Sequence, residues 1–473
     1  MAKASTKDLT QGSPTKLILT FTLSMLISSM MGYIYSTTDS LMVSHYVDPA
    51  ALGAISAASP ASSLIEGFAC ATISGFSILA GRIFGSKDEK KLRNVMVHVV
   101  LLSGAFIALA TLICTVFCRQ FISLMQTPGD FKVMAYDYLI VLMAAIPISG
   151  ISWVCGGMFR ALGDSKTPLL VGTVSGISNV AFNALFLGPL GMGIEGAAYG
   201  TVCATALGAF LYLFFLFTRM KVLIFHREDI YLSKRTVGTL LSNGIPLGLL
   251  NSVITVGAMI LQIAVNGHGE DVVTGIALGN RVLTLFWMVF QSFESAIIYF
   301  CAQNLGAGRV DRIKRGVRNT LLLNFAFGAV LAVVGIFFGE YIYMLFVKSD
   351  HPSFGLIVEK AKLYLLTQAV FFPFMVTLCI WRGGLKGLGS TVPAVLCGVI
   401  ELILRLIVSV FFAENLTVLF FAGPAAWVFA SIFLAILYPR VLRRTERRAA
   451  AEGISYFDNR GGEKIRKRSD AKA

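Results

Sequence analysis

Apolar runs of roughly 20 residues or more recur along almost the whole of this 473-residue chain, and each is long enough to cross a hydrocarbon slab of about 30 Å. The runs predict spans at 17–43, 52–81, 94–117, 134–159, 167–188, 195–218, 237–266, 272–302, 316–347, 361–385, 392–413 and 416–439. Charged residues make up 14% of the chain, well below the roughly 25% of a soluble domain. The fold class that follows is an all-α polytopic membrane protein with twelve transmembrane helices, six per half. Several spans are over-long, so tilt or kinking is expected.

The chain also repeats itself once. Pro147 is expected mid-helix in one span, which closes through Arg160, Leu162, Gly163 and Pro168 in FRALGDSKTP. Pro373, 226 positions later, is expected mid-helix in another that closes through Lys386, Leu388, Gly389 and Pro393 in LKGLGSTVP. A second echo links ILAGRIFGSKDEKKLRN (78–94) to YFCAQNLGAGRVDRIKRG (299–316), with Gly85 matching Gly306. With six spans in each half, both halves enter the membrane from the same side. The repeats therefore run parallel, as two lobes related by a pseudo-two-fold axis along the membrane normal, with a site expected between them. The expected division is 1–225 for the first lobe, 226–445 for the second and 446–473 for a basic tail. The basic stretch 219–235 joins the lobes. Pro147 and Pro373 each free a backbone carbonyl and predict a kink in each lobe.

The net charge of +14 does not point to nucleic acid. Of 40 basic residues, 33 fall in alternate loops and the tail, while the opposite loops carry His45, Asp48, Glu195, Glu270, Asp271, Asp350, His351 and Glu414. This is the positive-inside pattern, and it predicts that both termini are cytoplasmic in a multi-pass protein of the inner (cytoplasmic) membrane. Lipid headgroups are then the partner of the tail. The eight cysteines lie in or beside apolar spans with no metal-ligand spacing, and read as packing residues. The first span is longer than the apolar core of a signal peptide and is expected to be retained.

Ionisable groups within the hydrocarbon cost roughly 2.5–3.5 kcal/mol each, so they mark candidate sites. Asp39, within YSTTDSLMVSHY, has no basic residue within a helical turn. A desolvated carboxylate of this kind can exchange a proton or, among oxygen-bearing neighbours, hold sodium. Glu401 and Arg405 are four apart, the spacing of an internal ion pair. Their counterparts in the first half are Asn179 and Asn183, offset by 222. Glu294 is a candidate proton relay or cation contact, and Glu66 a further cleft candidate. The bland alternative for each is a hydrogen bond to a neighbouring helix. Neither a G-x-S-x-G nor an H-E-x-x-H motif is present, and GRIFGSK lacks the glycine spacing of a phosphate loop, so an enzyme is not expected. No cofactor is expected, and no metal beyond sodium at Asp39.

TTDSLMVSHYVDPAALGAIS, FRALGDSKTPLLVGTVSGISNVAFNALF, GMGIEGAAYGT and AQNLGAGRVDRIKRG, in that order, resemble the multidrug and toxic compound extrusion (MATE) family of bacterial type over residues 10–440. The resemblance implies a cation-coupled antiporter: protons or sodium ions flow in, and amphipathic, often cationic, compounds are expelled from a central cleft by alternating access. Matched by motif, it implies an ion site of Asp39, Tyr138, Asn179, Asn183 and Thr201. Two positions depart from it, since Asn183 stands where aspartate is common and Gly156 where some members have asparagine. Pro147, Met158, Phe286, Met288, Phe290 and Phe372 would supply a broad apolar wall for the cargo. A monomer is expected.

A flippase for lipid-linked saccharides is the nearest rival. It calls for a cationic cleft, whereas the sequence offers little mid-membrane beyond Arg405. A receptor or scaffold without transport is the rival from a different class, and the internal repeat and the isolated Asp39 argue against it.

Overall fold

The computed structural model describes residues 7–47, 49–124, 129–220, 231–344 and 353–451, and every element among them is a helix. The first half contains α1 (Pro14–Tyr46), α2 (Pro49–Gly85), α3 (Glu89–Val116), the short α4 (Cys118–Leu124), α5 (Gly129–Ala144), α6 (Ile146–Ala161), α7 (Lys166–Leu187) and α8 (Ile194–Arg219). The second contains α9 (Lys234–Asn266), α10 (Glu270–Gly306), α11 (Val310–Met344), α12 (Phe354–Val370), α13 (Phe372–Gly387), α14 (Thr391–Phe411), the short α15 (Leu416–Phe420) and α16 (Ala422–Ala451). Among the described residues, ten helices are long and apolar enough to span alone. The pairs α5–α6 and α12–α13, bent by 48° and 54°, bring the number to twelve. Asp48, Asp350, His351, linker residues 221–230 and tail residues 452–473 lie outside the described residues.

The two kinks fall where the prolines stand, with one correction. Pro147 and Pro373 are not in mid-helix; each lies in the first turn of α6 or α13, just after the break. There the missing N–H costs nothing, because a first-turn N–H has no partner within its helix. The last span also begins later than expected: Asn415 caps the separate helix α15 by accepting from Val418 N, so the long helix starts at Ala422.

The repeated closing motif has a direct backbone explanation. Gly163 and Gly389 both adopt positive φ (81° and 71°), a region that is open to glycine at no steric cost. Asp164 N donates to Phe159 O, and Gly163 N to Arg160 O; likewise Ser390 N donates to Leu385 O, and Gly389 N to Lys386 O. Both helices thus stop in the same left-handed cap, which pairs carbonyls that would otherwise be orphaned.

The second echo is where the halves meet. Gly85 packs on the backbone of Gln303, and Gly306 on the backbone of Arg82, so closely that a Cβ on either would collide. Each glycine meets the residue three before its partner, which is the reciprocal contact a two-fold axis produces. The ends of α2 and α10 therefore cross backbone to backbone at the face that carries the basic loops. The N-terminal segment seals that face: Leu9 N donates to Gln303 Oε1 at 2.9 Å, Asn304 Nδ2 to Leu9 O at 3.2 Å, and Arg309 Nη1 to Thr10 O at 2.8 Å. Lys87 closes on Asp8 at 2.6 Å. Burial alone would raise the Asp8 carboxyl, but hydrogen bonds from Lys87 and Thr10 outweigh it and hold the group below the usual carboxylate range.

Candidate cation site

Asp39 on α1 and Glu66 on α2 face one cavity of about 450 Å³, walled also by α5, α6, α7 and α8. Tyr138, Asn179 and Thr201 line it too, together with a series of serine and threonine hydroxyls that includes Ser36, Ser62, Ser149 and Ser175. Among the described residues that line it, none is basic. The whole cavity is built from the first half of the sequence.

The geometry around Asp39 comes from close packing between α1, α7 and α8. Gly176 lies against the ring of Tyr35, and Gly200 against the side chain of Asn183; neither contact leaves room for a Cβ. The tight approach carries Asn183, fully buried, to Asp39, where its Nδ2 donates to Asp39 Oδ1. The Oδ1 of Asn183 is buried without a partner. Beside it Asn179 Nδ2 donates to Thr201 Oγ1 at 3.3 Å. Tyr35 OH donates to Thr173 O at 3.0 Å and fastens α1 to α7. Asp39 and Glu66 have no ion-pair partner among the described residues. Asp39, Tyr138, Asn179, Asn183, Thr201 and Glu66 are thus gathered at one place. Two acids among hydroxyl and amide oxygens, with no counter-charge, form a donor set suited to a proton or to a hard cation.

The second half differs. Arg382, 1% exposed, reaches Glu294 at 3.0 Å and Glu401 at 3.2 Å. Lys386 reaches Glu294 at 2.7 Å, and Arg405 reaches Glu401 at 3.5 Å. Two expectations need correction here. Glu294 is not a free relay or cation contact, because both its oxygens are held by basic side chains. Glu401 and Arg405 do pair, but not as a self-contained couple, since Arg382 bridges Glu401 to Glu294. Arg382 falls within the expected span 361–385 but was not among the candidate residues; it lies inside α13. It stands 226 positions after Gly156, so one lobe places a guanidinium where the other has no side chain. The missed signal was that the run FPFMVTLCIW ahead of it is only half the length of a span.

The expected apolar wall is also reassigned in part. Phe286 and Phe290 pack edge-on against Phe372 at 6.0 and 5.4 Å, and all three are buried between α10 and α13. Met158 is 2% exposed. These side chains are buried and hold helices together. Nor is Arg405 alone in mid-membrane, although Arg382 is neutralised where it sits.

The sequence profile of the MatE family matches residues 24–185 and 246–439. The chain belongs to the MatE family. It is 26% identical over 341 residues to the probable multidrug resistance protein YoeA of Bacillus subtilis, covering 71% of this chain and 74% of that protein. It is 23% identical over 355 residues to a FAD transporter of Shewanella oneidensis, covering 74% and 77%. Among solved structures, a MOP superfamily transporter from Pyrococcus furiosus superposes with a TM-score of 0.86 at 20% identity, over 94% of this chain and 99% of that one. A multidrug resistance MATE family transporter in an outward-facing conformation superposes with a TM-score of 0.84 at 20% identity, over 95% and 99%. The protein is a multi-pass membrane transporter of a bacterial MatE type.

Proposed function

We propose that this MatE protein is a cation-coupled antiporter that takes in protons or sodium ions and exports amphipathic, often cationic, drugs or metabolites by alternating access. The observation that carries the reading is the cavity holding Asp39 and Glu66 with no basic residue among the described residues of its wall. Such a cavity attracts cations and binds one without first breaking an ion pair. Asn183 serves both states of Asp39: its N–H donates to the ionised carboxylate, and its unpartnered Oδ1 can accept from the protonated one or face a bound sodium. Neutralising Asp39 removes a charge from the α1–α7 contact and so biases one helix packing over another.

With residues 1–225 and 226–445 as the two lobes and both termini in the cytoplasm, the sealed face is the cytoplasmic one. The arrangement is then outward-facing, in an inner membrane, and the working unit is a monomer. Arg382 and its acids act as a fixed brace within the second lobe, which leaves coupling to the first.

The test is flux from proteoliposomes with a pH gradient or a sodium gradient imposed separately. Both a cationic dye and FAD are used as cargo, because the relatives include multidrug resistance proteins and a FAD transporter. Export driven by one gradient and abolished by its collapse supports the proposal. Cargo movement indifferent to both gradients rejects it.

A further inference from the structure

At the basic-loop face lies a second cavity, about 900 Å³ in volume, walled by both halves of the sequence. Five cationic side chains line it: Arg82 at the end of α2, Lys90 and Lys91 at the start of α3, Arg235 at the start of α9 and Arg448 on α16. Among the described residues the single acid in the wall is Asp88, and its Oδ1 already accepts from Lys91 N at 2.9 Å. None of the five cations has an ion-pair partner among the described residues.

Arg82 is the decisive residue. Its Nε and Nη2 are buried and have no hydrogen-bond partner, and its guanidinium lies against Gly389 in the α13–α14 turn, where a Cβ would collide with it. Membrane topology asks only for solvated lysines and arginines at this face; it does not ask for a half-buried arginine with two guanidinium nitrogens buried and unpaired. Buried charged nitrogens left without a partner are destabilising unless a ligand completes them. The wall is also built rather than fortuitous. Asn94 and His98, each 2% exposed, fix the chain ahead of α9, Asn94 Nδ2 donating to Tyr231 O and Ser233 N donating to His98 Nε2, both at 2.9 Å.

We propose that this cavity binds a phosphate-bearing anion, which bridges the two halves and holds the basic-loop face closed. A guanidinium presents a planar fork of donors that matches phosphate, and the remaining cations sit on both sides of the seam. Opening this face separates Arg82, Lys90 and Lys91 from Arg235 and Arg448, which dismantles the site. A ligand of the closed form therefore stabilises it by mass action. Two sources fit this chemistry: the headgroup of an anionic lipid, since the cavity opens where the spans end, and a soluble phosphate compound.

The experiment measures the thermal unfolding midpoint of the full-length protein in nanodiscs of phosphatidylcholine, with and without inorganic pyrophosphate, and in nanodiscs containing phosphatidylglycerol. Arg82→Gln removes the central group. The pair Lys91→Gln with Arg235→Gln, both exposed positions, covers the case in which Arg82→Gln fails to fold. A midpoint raised by pyrophosphate in phosphatidylcholine identifies a soluble anion; one raised by phosphatidylglycerol alone identifies a lipid headgroup. In either case the variants require about tenfold or more ligand for the same shift. If neither addition raises the midpoint, or if the variants respond as the parent does, the proposal is overturned.

Discussion

Replacing Arg382 with methionine keeps the bulk of the side chain and removes its charge. Arg382 makes three contacts with two acids, to Glu294 at 3.1 and 3.0 Å and to Glu401 at 3.2 Å. Deleting one partner of a buried ion pair costs about 3–5 kcal/mol, because the other charge is left in a low-dielectric interior. Here two carboxylates lose their partner together, yet each keeps another cation, Lys386 at 2.7 Å and Arg405 at 3.5 Å. A loss near the middle of that range, about 4 kcal/mol, is the expected balance. Unfolding in denaturant followed by tryptophan fluorescence reads it, since Trp381 is adjacent in sequence. Adding Glu294→Gln to Arg382→Met removes the acid that lost most, so the double variant should be less unstable than the sum of the singles by about 1–3 kcal/mol. Arg382→Met unfolding at the parent's midpoint, or strictly additive singles, would refute the brace.

Three further outcomes follow from contacts already described. Gly306→Ala places a methyl into the Arg82 carbonyl and should cost the closed form about 1–3 kcal/mol, seen as faster hydrogen exchange across 303–312; exchange at the parent's rate would contradict it. Gly200→Ala drives a methyl into Asn183 and should impair gradient-driven export while leaving expression and insertion intact; undiminished export would count against the Asp39–Asn183 contact. Because the folded pKa of Asp8 is depressed, its pairing with Lys87 stabilises the seal above the unfolded value of about 3.9 and loses that contribution as pH falls through the folded value. Both side chains are partly exposed, at 25% and 40%, so Asp8→Asn at neutral pH should cost under about 1 kcal/mol and flatten the acid side of the stability profile; an unchanged profile would reject the pairing.

Span number, the two kinks and the repeat were legible in the sequence because each has a local cause. Hydropathy marks lipid contact, proline and left-handed glycine fix the backbone at Pro147, Pro373, Gly163 and Gly389, and identical local chemistry gives identical caps. The gathering of Asp39, Asn179, Asn183 and Thr201 was reached by motif, but its partnership with the Glu66 cavity depends on how α1, α2 and α7 pack, which no local pattern encodes. Arg382 was missed for the same reason. Beside Gly383, Gly384 and Lys386 it looks like the edge of a loop, and only the fold brings Glu294 and Glu401 to it from 88 and 19 positions away. The aromatic residues failed differently: phenylalanine has the same composition signal whether it lines a cleft or fills a core, as Phe286, Phe290 and Phe372 do.

The most direct measurement compares two modes of transport by Asp39→Asn in the same proteoliposomes. Exchange of labelled for unlabelled cargo across the bilayer needs only the alternation of access, whereas accumulation against a concentration difference needs the imposed ion gradient. The account predicts that Asp39→Asn retains exchange and loses accumulation. A variant that accumulates cargo as the parent does would contradict it.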